Sequence, residues 1–117
     1  VLGMPERLFK FVDADTLAAA MVRAAQKSSA PIALHLDHGH TYEGVMKAIR
    51  WGFTSVMFDG SVLPFADNVK QTKEITKIAH SLGISVEGEL GYIGLNGGEL
   101  SESNMVSPET AAEFVAK

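Results

Sequence analysis

The sequence predicts an α/β fold whose strands form a parallel sheet, and two observations support this prediction. Short segments that begin with Ile or Phe and have the pattern of buried strands start near residues 32, 53 and 84. A segment with helical periodicity fills each gap between them. A strand–helix–strand connection of this length places the two strands side by side and parallel. The chain is therefore predicted to consist of consecutive βα units.

The helices are predicted from the spacing of apolar residues and from the residues at the helix ends. Thr41 suits the N-cap position of the second helix, and Gly52 suits the position just after its last turn. Ser107 and Pro108 suit the N-cap and the first position of the last helix. Four helices are expected, over residues 17–27, 41–52, 64–83 and 107–117.

The three predicted strands all carry, near their carboxyl ends, side chains that can bind a metal or transfer a proton. Asp37 and His38 follow one another at the end of the first strand, and Asp59 ends the second. Glu87 and Glu89 lie in the third. In parallel α/β folds the chemistry collects at the carboxyl ends of the strands, so these side chains are expected to form one site. The strands are predicted over residues 32–37, 53–59 and 84–90.

Length and composition limit the possible classes of function. With 117 residues the chain has room for one domain, and no linker interrupts residues 1–117. The net charge of −4, with no cluster of Lys and Arg, disfavours nucleic acid and anionic membranes as partners. The absence of cysteine excludes thiolate nucleophiles and Cys-based zinc sites.

The sequence shows no sign of membrane insertion or secretion. No apolar run approaches the roughly 20 residues needed to cross a bilayer. The opening stretch "VLGMPERLFK" lacks the basic start and apolar core of a signal peptide. The cytoplasm is therefore the expected location.

The stretch "PIALHLDHGH", residues 31–40, is the strongest candidate for chemistry. Alternation along a strand points His35 and Asp37 to one side and Leu36 and His38 to the other. The end of a strand relaxes that rule, so Asp37 and His38 could both turn into a site. Imidazole is a common metal ligand, but an aspartate at a helix start beside surface histidines is an equally good interpretation of the spacing alone.

The other titratable residues each have a structural alternative. Asp59 could be functional or could hydrogen-bond the backbone of the turn that follows it. Glu87 and Glu89 share a strand face, and a lone carboxylate buried there would need a cation, which favours function. His40, where a helix begins, and His80, in the last turn of a helix, are expected to be structural or solvated.

Three motifs in this order resemble the class II, metal-dependent ketose-bisphosphate aldolases. They are "HLDHG", "FTSVMFDGSVLPFADNVKQTKEI" and "ISVEGELGYIG". The resemblance runs from about residue 16 to residue 117 and implies a (β/α)8 TIM barrel. It also implies a zinc-dependent lyase that cleaves fructose or tagatose 1,6-bisphosphate into dihydroxyacetone phosphate and glyceraldehyde 3-phosphate, usually as a homodimer or homotetramer.

The resemblance assigns roles to five residues. Asp37 matches the family's catalytic aspartate, and His38 matches its first zinc-binding histidine. Asp59 and Glu89 match acidic residues that hold a second or alternative metal position. Glu99 is the nearest match to a loop glutamate that removes a proton from the substrate.

A complete barrel needs about 250 residues, and this sequence supplies about three of its eight βα units. The chain is therefore expected to be a partial TIM-barrel aldolase domain, with two more zinc histidines and the phosphate-binding residues lying beyond it. On its own, the 117-residue chain is expected to be inactive. Two alternatives are a non-catalytic fragment and a phosphoacceptor receiver-like signalling domain, which would also explain an aspartate after "VMF" at a strand end.

Overall fold

The computed structural model describes residues 1–91 and 106–117. Four parallel strands form one sheet in the order β1-β2-β3-β4, and helices follow the strands. The strands are β1 Leu2–Pro5, β2 Leu34–Gly39, β3 Ser55–Phe58 and β4 Ser85–Gly88. The α-helices are α1 Ala14–Lys27, α2 Tyr42–Trp51, α3 Phe65–Ser81 and α4 Pro108–Ala116, and a short 3-10 helix, Glu6–Lys10, follows β1.

The first strand, β1, was not among the predicted strands. It has only four residues, two of which are Gly3 and Pro5, so it shows no run of β-branched residues. The segment is a strand because of its tertiary contacts: Leu2 pairs with Leu34 of β2, and Met4 is buried with 1% of its surface exposed. The described residues therefore contain four strands of a barrel rather than about three.

The helix ends follow the predicted signals. The Thr41 side chain accepts a hydrogen bond from the backbone N–H of Gly44, and Ser107 caps α4 in the same way. Gly52 ends α2 with φ 90°, a left-handed conformation that glycine adopts without steric cost. Helix α1 begins before the predicted residue 17 because the Asp13 side chain caps it. None of the helices in residues 1–91 and 106–117 has the length and hydropathy of a membrane-spanning segment.

The hydrophobic core lies between one face of the sheet and the helices. Leu34 and Leu36 of β2 point into it together with Val56 and Phe58 of β3. The helices contribute Ala18, Val45, Ala48, Ile75 and Ala79, all fully buried. Because side chains alternate along a strand, the other face of the sheet carries the intervening residues, among them His35, Asp37 and Met57.

The sequential strand order identifies the type of α/β fold. In doubly wound folds, which include the receiver-like strand order 2-1-3-4-5, the order of the strands reverses partway across the sheet, and helices cover both of its faces. Here each strand pairs with the next one along the chain. The arrangement is that of consecutive βα units of a TIM barrel, in which the helix-free face lines the barrel interior.

Candidate metal centre

The end of β2 departs from regular strand geometry at His38. This residue has φ 43°, the one non-glycine residue with positive φ in the described part of the chain. The register with β3 shifts between Leu36 and Gly39, as at a β-bulge. The irregularity breaks the alternation of side chains, so His38 does not follow Leu36 into the core. Its side chain is half-exposed at the carboxyl end of the sheet.

Asp59 follows β3 and uses its two carboxylate oxygens for different partners. Oδ1 accepts hydrogen bonds from the backbone N–H of Ser61 at 3.1 Å and from its hydroxyl at 2.6 Å. Oδ2 lies 2.9 Å from Nδ1 of His38. The two alternatives drawn from the sequence therefore coexist: one oxygen fixes the turn, and the other faces the histidine. Only 7% of the residue is exposed.

Glu89 follows β4 and is held through its backbone. The buried side chain of Asn68, on α3, donates a hydrogen bond from Nδ2 to the Glu89 carbonyl at 2.8 Å. Asn68 in turn accepts a hydrogen bond from the hydroxyl of Thr72 at 3.0 Å. These contacts bring the Glu89 carboxylate toward β3, with Oε2 at 3.3 Å from Nδ1 of His38.

His38, Asp59 and Glu89 together form a group that can hold a metal ion. One donor atom from each lies within 4.8 Å of the other two. Oε2 of Glu89 is buried yet has no hydrogen-bond partner within the described ranges, which is costly for a carboxylate unless a cation or proton compensates it. One imidazole and two carboxylates suit a divalent transition metal. The residues present therefore fit the metal that the family resemblance implies.

The three groups alter one another's pKa values. The hydrogen bond with Asp59 is the main reason why the pKa of His38 lies above its ordinary value. Burial, reinforced by the negative charge of Asp59, raises the pKa of Glu89. Burial also acts to raise the pKa of Asp59, but hydrogen bonds from Ser61 and His38 outweigh it, so that pKa is lowered. The cluster holds excess negative charge that a cation would neutralise.

The remaining candidates take other positions. Asp37 precedes His38 on β2 and is half-buried, on the strand face that lines the barrel interior. His35 shares that face, where its Nδ1 contacts Ser55 Oγ at 2.8 Å and its Nε2 lies 3.6 Å from Glu87. Glu87 is therefore paired with His35 and does not join the metal-capable group. Glu99 lies outside the described residues.

The two weaker histidines differ from one another. His40 Nδ1 lies 3.6 Å from Asp59 Oδ2, and its ring stacks on that of His38, so it borders the centre. His40 was predicted to be structural or solvated, and its contact with Asp59 was not predicted. His80 is exposed in the last turn of α3, as expected.

The sequence reasoning missed Asn68, which supports Glu89. A signal was available, because Asn68 lies three residues after Phe65 and four before Thr72, on the stripe of α3 that packs inward. A polar amide on an otherwise buried stripe needs a hydrogen-bond partner, and here the partner is the strand end that carries a site residue.

The whole chain, residues 1–117, matches the family model described as "Fructose-bisphosphate aldolase class-II". The chain belongs to the class II fructose-bisphosphate aldolase family. The family resemblance drawn from the three motifs is thereby confirmed, and so is the barrel fold.

Curated relatives and solved structures agree with this membership. A fructose-bisphosphate aldolase of Thermus caldophilus is 45% identical over 93 residues, which cover 80% of this chain and 30% of the relative. A probable fructose-bisphosphate aldolase of Bacillus subtilis is 43% identical over 97 residues, covering 80% of this chain and 34% of the relative. The YdjI aldolase of Escherichia coli K12 superposes with a TM-score of 0.83 at 32% identity, over 97% of this chain and 39% of that one. The chain spans about a third of the length of its curated relatives.

Proposed function

We propose that the protein containing this chain is a zinc-dependent aldolase that reversibly cleaves a ketose 1,6-bisphosphate. The products would be dihydroxyacetone phosphate and glyceraldehyde 3-phosphate. The observation that carries the proposal is the convergence of His38, Asp59 and Glu89 at the carboxyl ends of three neighbouring strands. Family membership supports the same reaction class, and the names of the relatives support fructose 1,6-bisphosphate as a substrate; tagatose 1,6-bisphosphate is the alternative.

His38 is the proposed zinc ligand in this chain, and Asp59 and Glu89 would hold the same ion in an alternative position or a second cation. When bound, Zn²⁺ supplies a Lewis acid that polarises a ketone oxygen of the substrate. Asp59 suits either arrangement, because Ser61 donates two hydrogen bonds to its Oδ1 and leaves Oδ2 facing His38.

Asp37 is the proposed general acid/base of the carbon–carbon bond step. Cleavage requires removal of the proton from the C4 hydroxyl, and condensation requires its return. Asp37 is adjacent to His38 on a strand, so its carboxylate has a rigidly fixed offset from the metal ligand. Glu99 is the proposed carrier of the carbon-bound proton of dihydroxyacetone phosphate.

Metal removal tests the reaction class directly. The full-length protein is treated with a chelator, assayed for cleavage of fructose and tagatose 1,6-bisphosphate, and then assayed again after Zn²⁺ is added back. We expect activity to disappear with the metal and to return with it, and the ratio of kcat/KM values identifies the preferred ketose. Unchanged turnover in protein shown to be metal-free would contradict the proposal.

A receiver-like signalling domain accounts for the structure less well. A phosphoacceptor aspartate must be reachable by a phospho-donor, whereas Asp59 is 7% exposed and both of its oxygens are engaged. The sequential strand order also differs from the receiver order. Acetyl phosphate is therefore not expected to label the protein.

The 117-residue chain by itself is proposed to be a partial barrel domain without substantial aldolase activity. Its described residues provide four strands and a single imidazole in the metal-capable group, whereas a closed barrel has eight strands. The complete protein is proposed to be a homodimer or homotetramer located in the cytoplasm. Light scattering of the full-length protein and cell fractionation test these two points.

A further inference from the structure

We propose that Glu6 is a positioning residue for the metal centre, acting through the turn formed by residues 38–41, here called the ligand turn. This inference rests on the proposed function of His38. Glu6 begins the 3-10 helix that follows β1, 32 positions before His38 in the chain. It is not one of the three residues that form the metal-capable group in the described part of the chain, so the effect on the metal is proposed to pass through the ligand turn.

The carboxylate of Glu6 binds three donors of the ligand turn. Oε2 accepts hydrogen bonds from the backbone N–H of His40 at 2.5 Å and of Thr41 at 3.0 Å. Oε1 accepts a hydrogen bond from the hydroxyl of Thr41. Charge-assisted hydrogen bonds of this kind are stronger than neutral ones. The N-terminus of α2, which begins at Tyr42, also favours a negative charge at this position.

The ligand turn needs such support because its backbone conformation is unfavourable. His38 has φ 43°, which residues other than glycine rarely adopt. Such a conformation persists only where surrounding contacts hold it. On one side the backbone N–H of Asp59 donates to the carbonyl of Gly39 at 2.8 Å. On the other side, Glu6 holds His40 and Thr41. The turn is thus fixed between β3 and the residue that follows β1.

Gly44 shows how closely the Glu6 carboxylate is packed. A Cβ atom at this position of α2 would overlap the carboxylate carbon and both of its oxygens. Gly44 is also the residue whose N–H donates to Thr41 Oγ, so a shift of the carboxylate would displace the N-cap itself. The position of the Glu6 carboxylate therefore requires glycine at position 44. Substitution of either residue tests the contact between them.

The experiment measures metal binding by the full-length protein. Zn²⁺ dissociation constants are determined by competition with a chelator, and the visible spectrum of the Co²⁺-loaded protein reports ligand geometry. The variants are Glu6→Ala, Glu6→Gln, Gly44→Ala and the double variant Glu6→Ala/Gly44→Ala. Glu43→Gln is the matched control, because Glu43 is an exposed glutamate of α2, next to Gly44, and pairs with Lys47 rather than with the ligand turn. Circular dichroism establishes that each variant is folded at the temperature used.

We expect Glu6→Ala to weaken Zn²⁺ binding about 10- to 100-fold, the usual effect of losing a residue that orients a ligand, and to alter the Co²⁺ spectrum. Glu6→Gln keeps one acceptor oxygen and should lose less. Gly44→Ala should resemble Glu6→Ala, yet add little in the double variant, because the clash disappears with the carboxylate. Glu43→Gln should match the wild-type protein.

One outcome would overturn the inference separately from the proposed function. If the wild-type protein binds Zn²⁺ through His38 but folded Glu6 variants bind it equally well with an unchanged Co²⁺ spectrum, Glu6 only stabilises the fold. If Glu6→Ala does not fold, the folded Glu6→Gln and Gly44→Ala variants decide by the same two measurements. A wild-type protein without Zn²⁺ affinity would instead refute the proposed function.

Discussion

Nδ1 of His38 lies 2.9 Å from Oδ2 of Asp59, although the two residues are 21 positions apart in the chain. Parallel pairing of β2 with β3 produces this contact, because it sets the two carboxyl ends side by side. The contact joins a half-exposed imidazole to a buried carboxylate. Without a metal, the two groups are within hydrogen-bond distance of each other; to hold a metal, the imidazole must be neutral and the carboxylate ionised.

His38→Ala should remove most of the zinc affinity of the full-length protein. We expect the dissociation constant to rise more than about 100-fold, because losing a residue that merely supports a ligand already costs about 10- to 100-fold. His80→Ala is the control, since His80 is exposed in the last turn of α3. Competition with a chelator gives both constants. If a folded His38→Ala variant still bound stoichiometric zinc, the ligand would be His40 or His35 instead of His38.

The stability of the metal-free protein should fall as pH rises from about 5 to 8. The pKa of His38 is raised in the folded protein, so its contribution is complete below the unfolded value near 6.5 and is lost as pH rises through the folded value. The raised pKa of Glu89 also makes the stability of the folded protein decrease as the pH rises above 4.5. The lowered pKa of Asp59 contributes stability above pH 3.8, and this contribution is lost only in more acidic solution.

Thermal unfolding of chelator-treated protein at several pH values checks this prediction. The Tm should decline across this range, and His38→Gln should flatten the decline because the main titrating group is gone. Zinc affinity should change in the opposite direction and rise with pH, because His38 and Glu89 must lose protons before they bind the ion. A metal-free Tm that increases from pH 6 to 8 would contradict the assigned pKa directions.

Asn68→Ala should both destabilise the fold and loosen the metal centre. The substitution leaves the carbonyl of Glu89 and the hydroxyl of Thr72 without their buried partner, at a cost of about 1–3 kcal/mol in the free energy of unfolding. Because the backbone of Glu89 is then free to move, zinc affinity should also decrease in the folded protein. Lys70→Ala, an exposed change on the same helix, should stay within about 0.5 kcal/mol of wild type. Denaturant unfolding and chelator competition measure the two effects.

Much of the site could be predicted from local sequence patterns. Helix caps at Thr41 and Ser107, and the left-handed stop at Gly52, depend on a few neighbouring residues and are therefore visible in the sequence. Asp59 and Glu89 could be predicted as site residues because they are acidic and follow strands, and parallel strands bring their carboxyl ends together. The roles of particular residues came from the family resemblance rather than from spacing.

The features that were missed depend on contacts between distant segments. β1 is a strand because β2 pairs with it and Met4 becomes buried, not because its four residues favour extended structure. The left-handed backbone of His38 is followed by residues that hydrogen-bond to Asp59 and Glu6, both distant in the sequence. Asn68 matters because α3 packs its inward stripe against the end of β4. No local pattern encodes such pairings.

Asp37→Ala should abolish most of the turnover while leaving zinc in place. Asp37 is not among the three converging donors, so its loss should not remove the metal. It is the proposed proton carrier for the C4 hydroxyl, and losing a general acid/base typically lowers kcat about 10²- to 10⁴-fold, or roughly 3–5 kcal/mol.

The full-length variant should therefore fold, bind one equivalent of zinc and show kcat lowered on that scale. Exchange of the carbon-bound proton of dihydroxyacetone phosphate should be less affected, because that step is assigned to Glu99. Comparison of cleavage with proton exchange thus separates the two roles, and Asp37→Asn provides a variant of nearly unchanged shape. Loss of zinc would make Asp37 a support of the metal, and near-normal kcat would place the proton transfer on another residue.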